Sequence, residues 1–209
     1  ICWAVSFRGW VAQLAEDLDT VNLHAEETHA LAVRHGFRYF EAVGLIFRGW
    51  CATAGGADPE LAQIAAGIAV YDSIGAESAL SYFEAMRAQA ALLVGRPVEA
   101  ADFVRRGLAV ATKNGERTFL PELHRLAGEA ASALGAEQTE VAAHLERGLT
   151  AAREIGAPAP GLRVALSAVR LLGDTPVRAE AIAGLLEKFA AGAESDDIVV
   201  ARSHVGARV

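Results

Sequence analysis

Few residues of this sequence combine a reactive type with a spacing that could carry chemistry. The most metal-like stretch is His24-Ala25-Glu26-Glu27-Thr28-His29. Its histidines are five residues apart, about 140° around a helix at roughly 3.6 residues per turn, so they cannot share one ion as an i, i+4 pair does. A solvated helix face is the expectation there. Cys51 has no histidine near it in sequence and stands beside Trp50, which suits core packing rather than a nucleophile. Asp196 and Asp197 adjoin each other and point apart on a helix. They favour the start of a terminal helix through its dipole rather than acid–base work. No phosphate-binding Gly-x-x-x-x-Gly-Lys-Ser/Thr, dinucleotide Gly-x-Gly-x-x-Gly or nucleophile-elbow Gly-x-Ser-x-Gly motif occurs. The expectation is a chain that is not an enzyme by itself and holds no metal or cofactor.

Binding is the other chemistry to consider, and Trp10 and Trp50 are the residues that suggest it. The tetrapeptide Phe-Arg-Gly-Trp occurs at 7–10 and again at 47–50, forty residues apart. The two indoles therefore take equivalent places, each just after a small residue. The same place in the next two copies is held by Gln89 and Glu129, with Gln13, Arg87 and Arg125 a turn away. On stacked helical hairpins the first helices line a concave surface, where such a row could hold a peptide, a protein segment or a small effector. The alternative for each indole is that it fills a gap between repeats. If a groove exists, it runs from aromatic at Trp10 and Trp50 to charged at Arg125 and Glu129.

The elements that position these residues are most legible from Thr118 to Gly156. Leu123, Leu126, Ala127, Ala130, Ala131 and Leu134 recur at three- and four-residue spacing, which predicts an amphipathic helix over 122–134. Thr139 is placed to cap a second helix carrying Val141, Leu145, Leu149, Ala152 and Ile155, and Gly156 ends it. Stop glycines of this kind fall at Gly36, Gly75, Gly115 and Gly156, in steps of 39, 40 and 41 residues. Eight residues before them lie Thr28, Gly67, Gly107 and Gly148, small residues that let a neighbouring helix approach closely. Small residues in the first helices are Gly9, Gly49, Ala88 and Gly128.

These markers predict helices near 2–16 and 20–35, 39–54 and 59–74, 77–94 and 97–113, then the pair just described. Asp58-Pro59 opens one second helix, and Gly95-Arg96-Pro97 separates another pair. Ala157-Pro158-Ala159-Pro160-Gly161 reads as a short rigid link before helices near 161–172 and 176–191 and a polar tail that forms one last short helix. The expected repeats are 1–37, 38–76, 77–116, 117–157 and a divergent cap at 158–209, all in one helical-repeat domain.

A formal charge of −7 gives no general polyanion-binding surface, so nucleic acid is not an expected direct partner. No apolar run approaches the roughly 18–20 residues that span a bilayer, so no membrane partner is expected. Cys2 and Cys51, widely separated, fit buried thiols in a reducing cytoplasm, with one structural disulfide as the alternative. The sequence begins at Ile1 without a basic leader, and is read as a piece of a longer protein.

A helical hairpin with small residues at matched places in both helices resembles the tetratricopeptide repeat. Ala100, Val104 and Gly107, then Val141, Leu145 and Gly148, match that family's second-helix pattern. The units here are nearer 40 residues than 34, and Arg8 and Arg48 stand where a leucine is usual. Glu122-Leu123-His124-Arg125-Leu126-Ala127-Gly128-Glu129, with 143–149 and 151–157, is similar to the carboxy-terminal repeats of large bacterial signalling ATPases, whose output is a cyclase-like or LuxR-type domain. The resemblance implies an all-α, right-handed α-solenoid of about five tetratricopeptide-like hairpins. It also implies a non-catalytic protein-interaction or effector-sensing role beside other domains of the parent chain, and carries over no catalytic residue. Two further readings stay open: a self-association module that makes homo-oligomers, and an α-helical metal enzyme or hydrolase.

Overall fold

The computed structural model describes residues 1–56 and 61–206. Among them are eleven helices and no strand: α1 Cys2–Leu14, α2 Leu18–His35, α3 Arg38–Ala54, α4 Ala62–Ser73, α5 Leu80–Leu93, α6 Pro97–Asn114, α7 Leu120–Ala133, α8 Gln138–Glu154, α9 Pro158–Leu172, α10 Pro176–Leu186 and α11 Asp196–Gly206. Asp58 and Pro59, expected to open α4, lie outside the described residues.

The chain divides into two compact units, Ile1–Arg96 and a second beginning at Pro97, so the division falls within the hairpin expected over 77–116. In the first unit α1 packs on α2, α2 on α3 and α3 on α4, while α3 also packs on α1 and on α5. In the second, α6 through α11 pack in the same sequential way, and α9 touches both α7 and α11. Each unit is thus an all-α stack in which neighbours in sequence are neighbours in space, and alternate helices also meet.

The helix boundaries follow from local chemistry. The Asp17 carboxylate accepts from the Thr20 N–H at 3.1 Å, and the Thr175 hydroxyl accepts from the Arg178 N–H at 3.3 Å, each satisfying an orphan donor of a first turn. The four expected stop glycines all take left-handed backbone, φ between +64° and +70°. A second set ends the other helices: Gly56, Gly95 (expected to separate a pair), Gly135 and Gly173 have φ between +73° and +80°, and Glu16, forty residues before Gly56, has φ +58°.

Two expectations are corrected. Residues 157–161 are not a link: α9 starts at Pro158, because a proline at the start of a helix lacks only an N–H that the first turn leaves unbonded anyway. Thr139 is not the cap of α8. Ala136 N–H already closes on the Ala131 carbonyl, the chain is extended at Glu137, and the helix begins at Gln138.

Small residues let helices meet closely. A Cβ on Gly67 of α4 would lie 2.7 Å from Ile46 Cγ1 and 2.8 Å from the Ile46 nitrogen of α3, and one on Gly49 of α3 would strike the Ile64 backbone of α4. Around this contact Ile46, Phe47, Ile64, Tyr71 and Phe83 form the interior of the first unit.

Candidate functional site

The places just after the small residue of each first helix carry Trp10 (α1), Trp50 (α3) and Gln89 (α5) in the first unit. The structure brings all three together with Gln13. Trp50 is buried, and its Nε1–H donates to Gln89 Oε1 at 3.1 Å. Gln89 Nε2 in turn donates to Glu16 Oε1 at 3.0 Å, and Gln13 Nε2 lies 3.4 Å from Gln89 Oε1. Gln13 is buried as well, and its Oε1 accepts the Tyr82 hydroxyl at 2.6 Å. Trp10 is half-buried, stacked on the Tyr82 ring. Side chains from α1 and α5 therefore meet across α3 and close the first-helix face of this unit. Arg87, on the same helix as Gln89, pairs with Glu84 at 3.2 Å.

In the second unit the equivalent face is ionic. Arg125 of α7 is buried and forks onto Glu122, with Nε–Oε2 at 2.9 Å and Nη2–Oε1 at 2.5 Å, while its Nη1 reaches Glu129 at 2.6 Å. Glu129 also accepts from the Ser167 hydroxyl at 3.0 Å and is ion-paired to Arg170, both on α9. Burial pushes the Glu122 carboxyl up, but the Arg125 charge, its hydrogen bonds and the charge of Arg163 together outweigh that, and the net shift is downward. Arg163 itself reaches Asp197 of α11 at 3.0 Å. Asp196 and Asp197 do occupy the first turn of α11.

Arg170 follows Glu129 by 41 residues and Gln89 follows Trp50 by 39, close to the 39- to 41-residue steps between the stop glycines. The sequence reading missed Arg170, Ser167, Tyr82 and Glu122. The repeat step points to Arg170, and Tyr82 lies seven residues before Gln89, on the same helical stripe.

The remaining candidates take inert positions. His24 is buried, not on a solvated face: α2 lies between α1 and α3, so His24 faces Gly9 of α1 and His29 faces Gly44 of α3. Burial pushes the Cys51 thiol up to about 12, which disfavours the thiolate, and Cys2 and Cys51 are both free. Among the described residues no group of three or more His, Cys, Asp or Glu is placed to hold a metal ion, and no helix is long and apolar enough to cross a membrane.

Two concavities lie in the second unit. One, of about 340 Å³, has a floor from Leu149, Ala152, Gly161 and Leu185, with Arg153 and Lys188 also lining it. The other is a shallow cleft of about 530 Å³ between α7 and α8, lined by His124, Glu146, Arg147 and Glu154 among others. His144 lies behind His124, ring centroids 6.5 Å apart, and both Nδ1 atoms are buried without a hydrogen-bond partner. Burial, then the neighbouring positive charges, hold both imidazoles below their ordinary value. No family model and no curated protein sequence matches this chain.

Proposed function

We propose that this chain is a non-catalytic binding segment of a larger bacterial signalling or transcription-regulatory protein, built as a right-handed α-solenoid of about five tetratricopeptide-like hairpins. A protein, peptide or small effector would engage the face formed by successive first helices. The observation that carries this reading is the polar network of Gln13, Trp50, Tyr82 and Gln89. Gln13 is a buried amide and Gln89 a half-buried one, and the hydrogen bonds they make to Tyr82 and Trp50 are ones that a ligand's polar groups could take over. The face is closed in this state, so a ligand would bind by taking over the hydrogen bonds of Gln89 and the ring face of Trp10 from their internal partners. That exchange supplies two arrangements between which an effector could bias an attached output domain.

The test is to pan a phage-displayed peptide library on the intact chain and titrate enriched peptides against wild type, Trp10→Ala and Gln89→Ala. The reading expects at least tenfold weaker binding by both variants with the helical circular-dichroism signal retained. Equal affinities for all three proteins, or no enrichment, would remove it.

A further inference from the structure

The recess of about 340 Å³ is walled by three helices of the second unit. Leu149, Ala152 and Arg153 present one face of α8, while Ala181, Gly184, Leu185 and Lys188, at i, i+3, i+4 and i+7, form one stripe along α10 and the turn after it. The base is the α9 backbone at Gly161, where a Cβ would lie 3.2 Å from Leu185 Cδ2 and 3.3 Å from Ala152 Cβ. Its depth depends on small residues: a Cβ at Gly184, in the middle of the α10 stripe, would meet nothing within 4 Å. Another side of α9 and α10 is covered by α11, with Leu162 and Ile182 packed among Ile198 and Ala201, so the recess is not a face left bare where the sequence stops.

Its charges are of one sign. Arg153 and Lys188 line it and no carboxylate does, whereas Glu146 and Glu154 stand beside Arg147 in the cleft between α7 and α8. Glu154, next to Arg153 in sequence, is paired with Arg117. The Arg153 guanidinium donates to the Leu149 carbonyl at 3.2 Å and to the Thr150 hydroxyl at 3.4 Å, and among the described residues neither it nor Lys188 meets an acidic partner. In a chain of net charge −7, two uncommitted cations beside an apolar floor favour an anion with an apolar body. The volume is near the lower end of the range of roughly 300–1,000 Å³ that small-molecule pockets span.

We propose that this recess binds a small amphipathic carboxylate, with its hydrocarbon tail on Leu149, Ala152, Gly161 and Leu185 and its head group at Arg153 and Lys188. Burial of the tail supplies the affinity, and charge-assisted hydrogen bonds to the two cations favour an acid over an alcohol. A polypeptide segment fits less well, because an apolar floor offers its backbone amides no partners. Each methylene buried is worth about fourfold in affinity, so tail and head can be read separately.

Isothermal titration calorimetry of the intact chain with sodium octanoate, sodium butanoate and octan-1-ol tests this. Octanoate should bind at one per chain with a Kd of roughly 0.1–1 mM, and the other two at least tenfold more weakly. Arg153→Met together with Lys188→Met should weaken octanoate binding at least tenfold, and Gly184→Leu, which places a side chain in the recess, should abolish it, both with the helical circular-dichroism signal retained. Arg202→Met, at an exposed cation of α11, should bind octanoate as wild type does. A wild type that does not bind octanoate in that range overturns the proposal, as does octan-1-ol binding as tightly as octanoate, undiminished binding by the double variant, or loss of binding in Arg202→Met. Should Gly184→Leu lose its helical signal, the double variant decides alone, since Arg153 and Lys188 are both exposed. The recess shares no residue with the network of Gln13, Trp50, Tyr82 and Gln89, so this result is independent of the peptide-binding test.

Discussion

Trp10 lies flat on Tyr82, ring centroids 4.6 Å apart and planes 13° from parallel, joining α1 directly to α5. The Tyr82 hydroxyl is held at the same time by buried Gln13. One residue thus fixes an aromatic contact and a polar one, and the two should come apart on substitution. Tyr82→Phe keeps the stack and leaves the Gln13 oxygen without that donor, at an expected cost of about 1–2 kcal/mol in urea denaturation. Tyr82→Ala loses both contacts and leaves a cavity, and is expected to cost about 3–5 kcal/mol.

Arg125 is the counter-ion of two partly buried carboxylates. Arg125→Ala leaves Glu122 and Glu129 facing each other without it, and a loss of about 3–5 kcal/mol is expected in the same assay. The sign for Glu122 follows from its lowered value: it contributes stability that is complete above the ordinary carboxyl value and is lost as pH falls through the folded one. Glu122→Gln should therefore flatten the acid side of the stability profile. An unchanged profile would show that the pair contributes no net pH dependence.

Two glycines should respond to alanine with opposite signs. At Gly67 a methyl would meet Ile46, and Gly67→Ala should cost about 1–3 kcal/mol through overpacking of α3 against α4. At Gly184, inside α10, a Cβ would meet nothing within 4 Å, and Gly184→Ala should stabilise by about 0.5–1 kcal/mol through helix propensity. Melting temperatures of the two variants decide both.

His124 and His144 make the α7–α8 contact sensitive to acid. Both are held below the ordinary histidine value of 6.5, so the unfolded chain takes up protons first as pH falls through that value. Stability should be unaffected by these groups above about pH 7 and decline as pH falls from 6.5 toward the lowered values. Melting curves from pH 7.5 to about 5 should show a shallower decline for His124→Gln than for wild type. Parallel curves would assign the acid loss to carboxylates instead.

The helices were legible because their signals are local. Leu123 to Leu134 shows its period, and Gly36, Gly75, Gly115 and Gly156 mark stops that depend only on backbone conformation. The second set of left-handed positions is harder to read as a series because its first member is Glu16, which accepts a strained conformation that glycine takes freely. Pro158 and Pro160 have the composition of a link, while their place in the first turn of α9 depends on where α8 ends. The site was legible as a row of positions but not as contacts. Trp10 and Trp50 have the same type and register, yet only Trp50 is enclosed, since Gln89 reaches it from 39 residues away. The Tyr82–Gln13 bond spans 69 residues. Nothing local in either segment announces such a pairing.

The row of paired positions also bears on how such an array can change over time. Trp50 donates to Gln89, and Arg170 donates to Glu129, so each of these side chains is matched to a different one in the neighbouring copy. A tandem duplication of the hairpin carrying Glu129 would set carboxylate against carboxylate, and one carrying Arg170 would oppose two guanidiniums. Gain or loss of a stretch of about forty residues would thereby be opposed by chemistry at a single position. Substitutions there should be inherited in pairs about forty residues apart.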